Sequence, residues 1–504
     1  MKDFKPLIIC PTYANSNAGG LNTVHPPNMI PPFDMANGRN WYPYLTSWRK
    51  RGGYSKYTAA SLGAYKIHGL VHHCKASGVR RVVASATDGN WYDITGGVWT
   101  TTAATGLTTL ATAKWRWTTA PDESGGVEML IGVNGVTGVP HYACYSAGGA
   151  WTDATLSGTP GTTAAKDITC HRGRVWITGY TENVNGAKYS RVAYPGTWGT
   201  TYGGEVTFYT PDDNSGMVGL GECGHYLAFF KRYSVAVLVG ENNPDVWYLR
   251  ELETNNGAVV THSIVDTSDG APGVFWLSDE GPMMLDPNLG LRFLGNKIHH
   301  SWDGTVWSWD SVTTYTDIHG IWFAPRQEVW WYLPTHALRL VYSVPNDALS
   351  LHTDYGYSSC FGYISNLPVA LFGSSAGYVY QADSGYTDDG TAITDYLTTP
   401  LFDDRDMQQN KFYHSIIPIG HCTSTTGTLS VTGNIFYDGY TAAITNDSLT
   451  LGATAGVRYF SEPHPMDTST TPCKGHAIQL QLASTGNWGT NLYGYIVERE
   501  TVPE

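Results

Sequence analysis

Hydrophobic positions along this chain fall in short runs of five to seven residues, separated by tight-turn signals. Seven such runs recur through the middle of the sequence. They are Lys66–Val71, Val127–Gly132, Arg174–Gly179, Tyr226–Phe230, Gly273–Ser278, Val329–Leu333 and Gly377–Gln381. Each is rich in β-branched and aromatic residues, which suit a pleated, half-buried surface. Asp-Gly and Asn-Gly pairs, strong short-range hairpin signals, start at 37, 88, 134, 185, 256, 269, 303, 389 and 438. The early pairs lie roughly fifty residues apart, close to the ~40–50 residues of a four-stranded propeller blade. The spacing predicts a β-propeller of six to eight blades over residues 59–390. In a propeller each sheet is covered on both faces by its neighbours, and closing the ring leaves only short edges.

The two ends read differently. Residues 1–58 are rich in Pro and Asn, with Pro26-Pro27, Pro31-Pro32 and Asn37-Gly38-Arg39-Asn40, and have poor periodicity. They predict an extended arm laid on something else, such as a neighbouring subunit. Residues 391–504 predict a separate β-sandwich-like domain, with strand runs at Phe412–Pro418, Gly427–Val431, Asn434–Tyr437, His476–Leu482 and Leu492–Glu498. The strict alternation from His476 to Leu482 marks a half-exposed strand. No convincing long amphipathic helix is present, so the fold class expected is all-β.

Composition agrees. Charged residues are only 14% of the 504, while aromatic residues reach 13% with 33 Tyr and 18 Trp, and 57 Gly serve the turns. Large aromatics fill the wedge between twisted sheets. The net charge of −13 is opposite in sign to a surface that grips nucleic acid. It is compatible with a wall past which a duplex slides without sticking. No apolar stretch is long enough for a secretory signal or a membrane span, so synthesis in a cytoplasm is expected. The eight cysteines form no C-x-x-C pair, which argues against a structural zinc site.

Candidate chemistry is sparse. In Asp403-Asp404-Arg405-Asp406, adjacent strand residues would face opposite ways and do not make a paired acid and base. His72-His73, beside Cys74, and His299-His300 lack a second spaced ligand cluster. Ser301–Trp307 resembles the Asp-box turn of sialidase propellers, with the glycine displaced, and that box is itself structural. The G-x-S-x-G, P-loop and H-E-x-x-H motifs are absent. The expectation is therefore a non-enzyme with no catalytic residues, no metal and no cofactor. Arg49-Lys50-Arg51 with Lys56, and Arg80-Arg81 further on, form local basic spots in an acidic chain. Trp41, Tyr42, Arg49, Lys50 and Arg51 are the candidate subunit-docking residues.

The order of strands and turns resembles a known family. The stretch Val218–Ser234 is a strand, a turn and the start of a second strand, and it is followed by Gly257–Val265, Gly273–Met284 and Asn296–Ile298. Together with Asp167–Trp176, the closing Leu492–Glu498, and Trp41–Leu45 ahead of Arg51-Gly52-Gly53, this order is similar to that of the tail nozzle, or tail-hub (packaged-DNA stabilisation), proteins of short-tailed bacteriophages. The resemblance implies a homohexameric ring in the virion tail, assembled in the host bacterial cytoplasm. It implies a portal adaptor above, tail fibre, needle or plug proteins at or below the ring, and double-stranded DNA passing through the channel. The alternatives are a receptor- or glycan-binding tail protein and, behind it, a propeller glycosidase.

Overall fold

The computed structural model describes residues 5–9, 18–75, 77–102, 105, 107, 114–122, 127–136, 141–145, 151–155, 164–198, 203–240, 243–252, 255–267, 273–402, 409, 411–423, 427–437, 440–451, 457–460, 464–465, 474–486 and 489–501. Among these residues the regular elements are strands and short 3₁₀ turns. Asp403–Asp406 lies outside them.

The middle of the chain is a seven-bladed β-propeller of antiparallel four-stranded units. Blades 1 to 4 span Ile67–Thr101, Arg116–Thr155, Asp167–Thr207 and Gly219–Leu252, and blades 5 and 6 span Val265–Phe293 and His319–His352. Blade 7 takes three strands from Ser358–Ala382, and its fourth, Tyr54–Lys56, comes from ahead of blade 1. Lys56 pairs with Tyr380 and Tyr54 with Ala382, so the ring is fastened by a strand more than three hundred residues away in sequence. Each of the seven hydrophobic runs falls in a different blade.

Every junction between neighbouring blades holds its own buried cluster. Trp91 and Trp115 meet edge-on between blades 1 and 2, with ring centroids 4.9 Å apart. Trp176 and Phe229 meet between blades 3 and 4, Phe230 and Trp276 between 4 and 5, and Trp330 and Phe372 share the cluster between 6 and 7. A buried aromatic removes about 150–250 Å² from water, about 4–6 kcal/mol of driving force before entropy is counted. That is the physical use of the Trp and Tyr excess.

The second unit is a sandwich of two sheets. One contains Trp41–Tyr44, Ser47–Lys50, Gly489–Thr501, Lys411–Thr423 and Val457–Phe460 in that order, with Lys5–Ile9 also on Gly489–Thr501. The other runs Asn37–Arg39, Asp395–Phe402, Ala477–Gly486, Gly427–Tyr437 and Tyr440–Leu451. Ile478, Leu480 and Leu482 are buried on alternate positions, as the sequence pattern required, and pack with Trp41, Trp48, Leu492, Tyr495 and Val497.

The N-terminal segment is not an arm held out to a neighbour. It does lie on something else, but that something is its own chain. Leu21 N–H donates to Leu349 O at 2.8 Å and Asn40 N–H to Leu351 O at 2.8 Å, so the segment covers the outer strand of blade 6. Residues 37–50 then give strands to both sandwich sheets, and 54–56 close blade 7. The Asn37-Gly38 pair, which reads as a turn, sits in one of these strands. Asp389-Gly390 behaves as expected, with φ of 47° and 89° at the tip of a two-residue hairpin.

Candidate functional site

The innermost strands of the seven blades converge on the propeller axis. They are Ile67–Cys74, Arg116–Asp122, Asp167–His171, Gly219–Cys223, Val265–Asp266, His319–Phe323 and Ser358–Ile364. Crowding there demands glycine. A Cβ on Gly69 would stand 2.2 Å from Trp117 Cη2, and one on Gly320 would stand 2.4 Å from Val265 Cγ2. Between the strands lies a cavity of about 870 Å³, lined by Arg116, Trp117, Glu222, Asp266, Trp322 and Phe361 among others. A narrower space of about 110 Å³ shares Arg116, Trp117 and Gly320 with it and adds His68, Lys114, His262, His319 and Ser359. The larger volume matches a small-molecule pocket and is no passage for a duplex.

The wall of the larger cavity is charged. Arg116 Nε donates to Asp167 Oδ1 at 2.8 Å, and Asp167 also accepts the amides of Ile168 and Leu220 at 2.9 and 2.7 Å. Burial works against the charge on Arg116, but Asp167 and then Asp266 outweigh it and the net shift is upward. Asp266 accepts the Glu222 amide at 2.9 Å. Its carboxyl is pushed up to about 7 by burial, with Arg116 pulling the other way and Glu222 and Asp167 adding to the rise. Glu222 Oε1 lies 2.9 Å from His171 Nδ1.

At the narrow end the shift is opposite. The Lys114 ammonium is pushed down to about 7 by burial, against the pull of Asp317. His68 is lowered to about 4 by burial and by Lys66 and Lys114, and burial holds His262 and His319 well below the usual imidazole range. The axis thus holds a carboxyl on the larger cavity and an amine on the narrower one, both shifted toward neutral pH by burial.

A pH test follows for Asp266. A carboxyl whose folded pKa lies above its unfolded value favours the protonated folded state. Its contribution to stability is therefore lost as pH rises from the usual carboxylate range to about 7, and levels off above that. Asp266→Asn keeps an acceptor for the Glu222 amide and cannot ionise. Its melting temperature should exceed that of the wild type at about pH 8, with the gap closing by about pH 4. An equal gap at both values would contradict the assignment.

The candidate docking residues lie elsewhere. Trp41, Tyr42, Lys50 and Arg51 are buried in their own chain. Lys50 Nζ pairs with Asp395 at 2.7 Å, Arg51 with Asp354 and Asp388, and Trp41 Nε1 donates to Asp395 at 2.9 Å. They are consumed by the junction of sandwich and propeller, because strands from the N-terminal segment complete both units. Arg49 is half-buried, bonded to Asn491 and stacked on Tyr44, beside a groove of about 580 Å³ that Tyr42, Arg326 and Asp383 also line. Lys56 pairs with Asp389, and Arg81 lies 3.8 Å from Asp93.

His72 reaches the axial cavity, where its Nε2 meets Tyr363 O at 3.1 Å, while His73 bonds Thr119 on the other face, so the two share no ligand. Asp310, from the 3₁₀ turn Trp309–Ser311, joins His299 and His300, and their donor atoms lie within 4.8 Å of one another. His300 and Asp310 are exposed and His299 is half-buried, and all are already engaged with Glu280 or each other. Asp303 accepts from Thr305, Val306 and Ser301, which makes Ser301–Trp307 an Asx turn. Cys74, Cys170, Cys223 and Cys360 are free thiols.

The axial residues escaped the sequence reading. His68 and Asp167 lie within strand runs legible in the sequence, but the site is assembled from single short stretches of several blades and no local motif marks it.

No family model matches the chain, and no curated protein matches it. Solved structures of similar fold include catalytically inactive virginiamycin B lyase from Staphylococcus aureus with quinupristin, at 12% identity and TM-score 0.41, covering 64% of this chain and 98% of that one. YCF48 from Cyanidioschyzon merolae gives 9%, 0.39, 66% and 98%. PorZ, a component of the type-IX secretion system of Porphyromonas gingivalis, gives 11%, 0.36, 73% and 45%. At these values the likeness is one of fold and carries no activity. The class is fixed by strand topology: an all-β chain with a seven-bladed propeller and a β-sandwich sewn to it.

Proposed function

We propose that the chain is a structural subunit of a short-tailed phage tail hub, and that copies of it form the nozzle ring, a homohexamer, through which the genome leaves. The observation that carries this reading is mechanical. The segment before the propeller is woven into both sandwich sheets and the last blade, so the two units behave as one stiff body. A collar that retains packaged DNA needs stiffness and no reactive centre. The cavity on the propeller axis is of ligand size, so in this reading DNA passes between subunits, and the net charge of −13 keeps it from sticking. The portal adaptor sits above, and tail fibre, needle or plug proteins at or below. The resemblance of the sequence's strand-and-turn order to that of tail nozzle proteins is the second support for this reading.

Electron microscopy of the purified chain, alone and with tail adaptor, tests the proposal. Closed six-fold rings are expected in at least the second case. A chain that remains monomeric in both overturns it. A glycan-binding role is the second reading. It is favoured by Tyr209 and Tyr248, 70% and 58% exposed, which flank Trp247 in a groove of about 380 Å³ at the outer strands of blades 3 and 4.

A further inference from the structure

The narrow end of the propeller axis gathers basic side chains from separate blades. His68 belongs to the inner strand of blade 1 and His319 to that of blade 6. Lys114 leads into blade 2, and His262 lies on the 3₁₀ turn Thr261–Ser263 that leads into blade 5. Ser359, on the inner strand of blade 7, completes the wall of the 110 Å³ cavity. His68, Lys114 and His319 are 1%, 5% and 4% exposed. Neither ring nitrogen of His68 has a hydrogen-bond partner in the protein, and the same holds for His319 Nε2 and Ser359 Oγ. Buried polar atoms are paired in the great majority of cases, so several orphans lining one small cavity point to a ligand.

The charge balance says which kind. Lys114 donates to the Asp317 carbonyl and approaches His319 Nδ1 at 3.4 Å. The Asp317 carboxylate is engaged by Lys66 at 3.2 Å, and the Asp88 carboxylate by Tyr92 and Asn90. Arg116 turns to Asp167. The cavity is thus walled by an amine and three imidazoles whose nearest carboxylates are occupied. At about 30 Å³ per water it has room for a few waters or one tetrahedral ion.

We propose that this cavity binds a small tetrahedral oxyanion of the sulfate or phosphate class at the propeller axis. Lys114 is its ion-pair partner, and His68, His319 and Ser359 are its hydrogen-bond donors. The ion supplies the countercharge that the fold withholds, and it ties blades 1, 2, 6 and 7 together at their innermost point.

Binding draws protons onto Lys114 and the imidazoles, because burial opposes their charged forms in the free protein. Lys66 and Arg116 facing the cluster oppose that uptake, and Asp88 and Asp317 favour it. Affinity should therefore rise as pH falls. Sulfate is the cleanest probe, since its own charge does not change near neutral pH.

Isothermal titration of the full chain with sodium sulfate, at constant ionic strength, tests this. Saturable one-to-one binding is expected, tighter at about pH 6 than at about pH 8. Lys114→Gln should weaken it by about tenfold or more, as expected for losing one charge-assisted hydrogen bond. Ser359→Ala, which removes only a hydroxyl and leaves the fold intact, should weaken it several-fold even if the lysine variant does not fold. Absence of saturable binding, or affinity unchanged in Ser359→Ala and in a folded Lys114→Gln, would overturn the proposal.

Discussion

A chain lacking residues 1–53 is expected to be insoluble or to melt without cooperativity, although the segment is Pro- and Asn-rich and reads as an extended arm laid on a neighbour. Truncation removes Trp41–Tyr44 and Ser47–Lys50 from one sandwich sheet and Asn37–Arg39 from the other. It takes Trp41 and Trp48, 1% and 0% exposed, out of the sandwich core, and strips cover from the outer strand of blade 6. Each buried Trp replaced by Ala costs about 3–5 kcal/mol, and a whole domain has only about 5–15 kcal/mol to lose. Trp48→Ala alone should lower the urea midpoint markedly while leaving the chain soluble. A truncated chain that melts cooperatively, with only assembly impaired, would show that the segment is the detachable arm the sequence suggested.

The second large effect is expected at Asp354. Its carboxylate lies 3.6 Å from Arg51 Nε and 2.9 Å from Arg339 Nη1, and all three residues are at most 3% exposed. Arg51 keeps Asp388 if Asp354 is removed. Arg339 keeps His352, 2.8 Å away and held well below its usual pKa by burial and by Arg339 itself, the faces of Trp330 and Tyr332, and the field of the buried Glu328 carboxylate. Asp354→Ala therefore leaves a buried guanidinium without its direct ion-pair partner, at a cost of about 3–5 kcal/mol. Replacing Arg339 with Met in the same chain should recover much of that loss, because the unpaired charge goes with it. Urea unfolding of the two single variants and the double variant gives the coupling directly. A loss below about 1 kcal/mol for Asp354→Ala would place the cluster with ordinary surface ion pairs.

Both predictions concern residues whose role was hidden in the sequence, and the reason is the same. Strands of three or four residues such as Asn37–Arg39 and Ser47–Lys50 are too short to show a period of two. Their partners lie far along the chain: Trp41 bonds Asp395, and Arg51 bonds Asp388. Arg49-Lys50-Arg51 accordingly read as a surface basic spot, when the last two are buried counterions. Propeller strands such as the one holding Val329–Leu333 were legible because each contains a continuous apolar run closed by turn residues. The axial site was not, since His68, Lys114, Arg116, Asp167, Asp266 and His319 come from five blades and share no local motif.

The central claim is that the chain is a stiff ring subunit whose DNA path lies between copies and not along the propeller axis. Cryo-electron microscopy of assembled tails tests it most directly. The account predicts a ring of this chain with duplex-width density on the ring axis and each propeller's own axis set to the side, free of duplex. Duplex density threading a propeller, or particles in which the chain stands as a lone appendage, would contradict it.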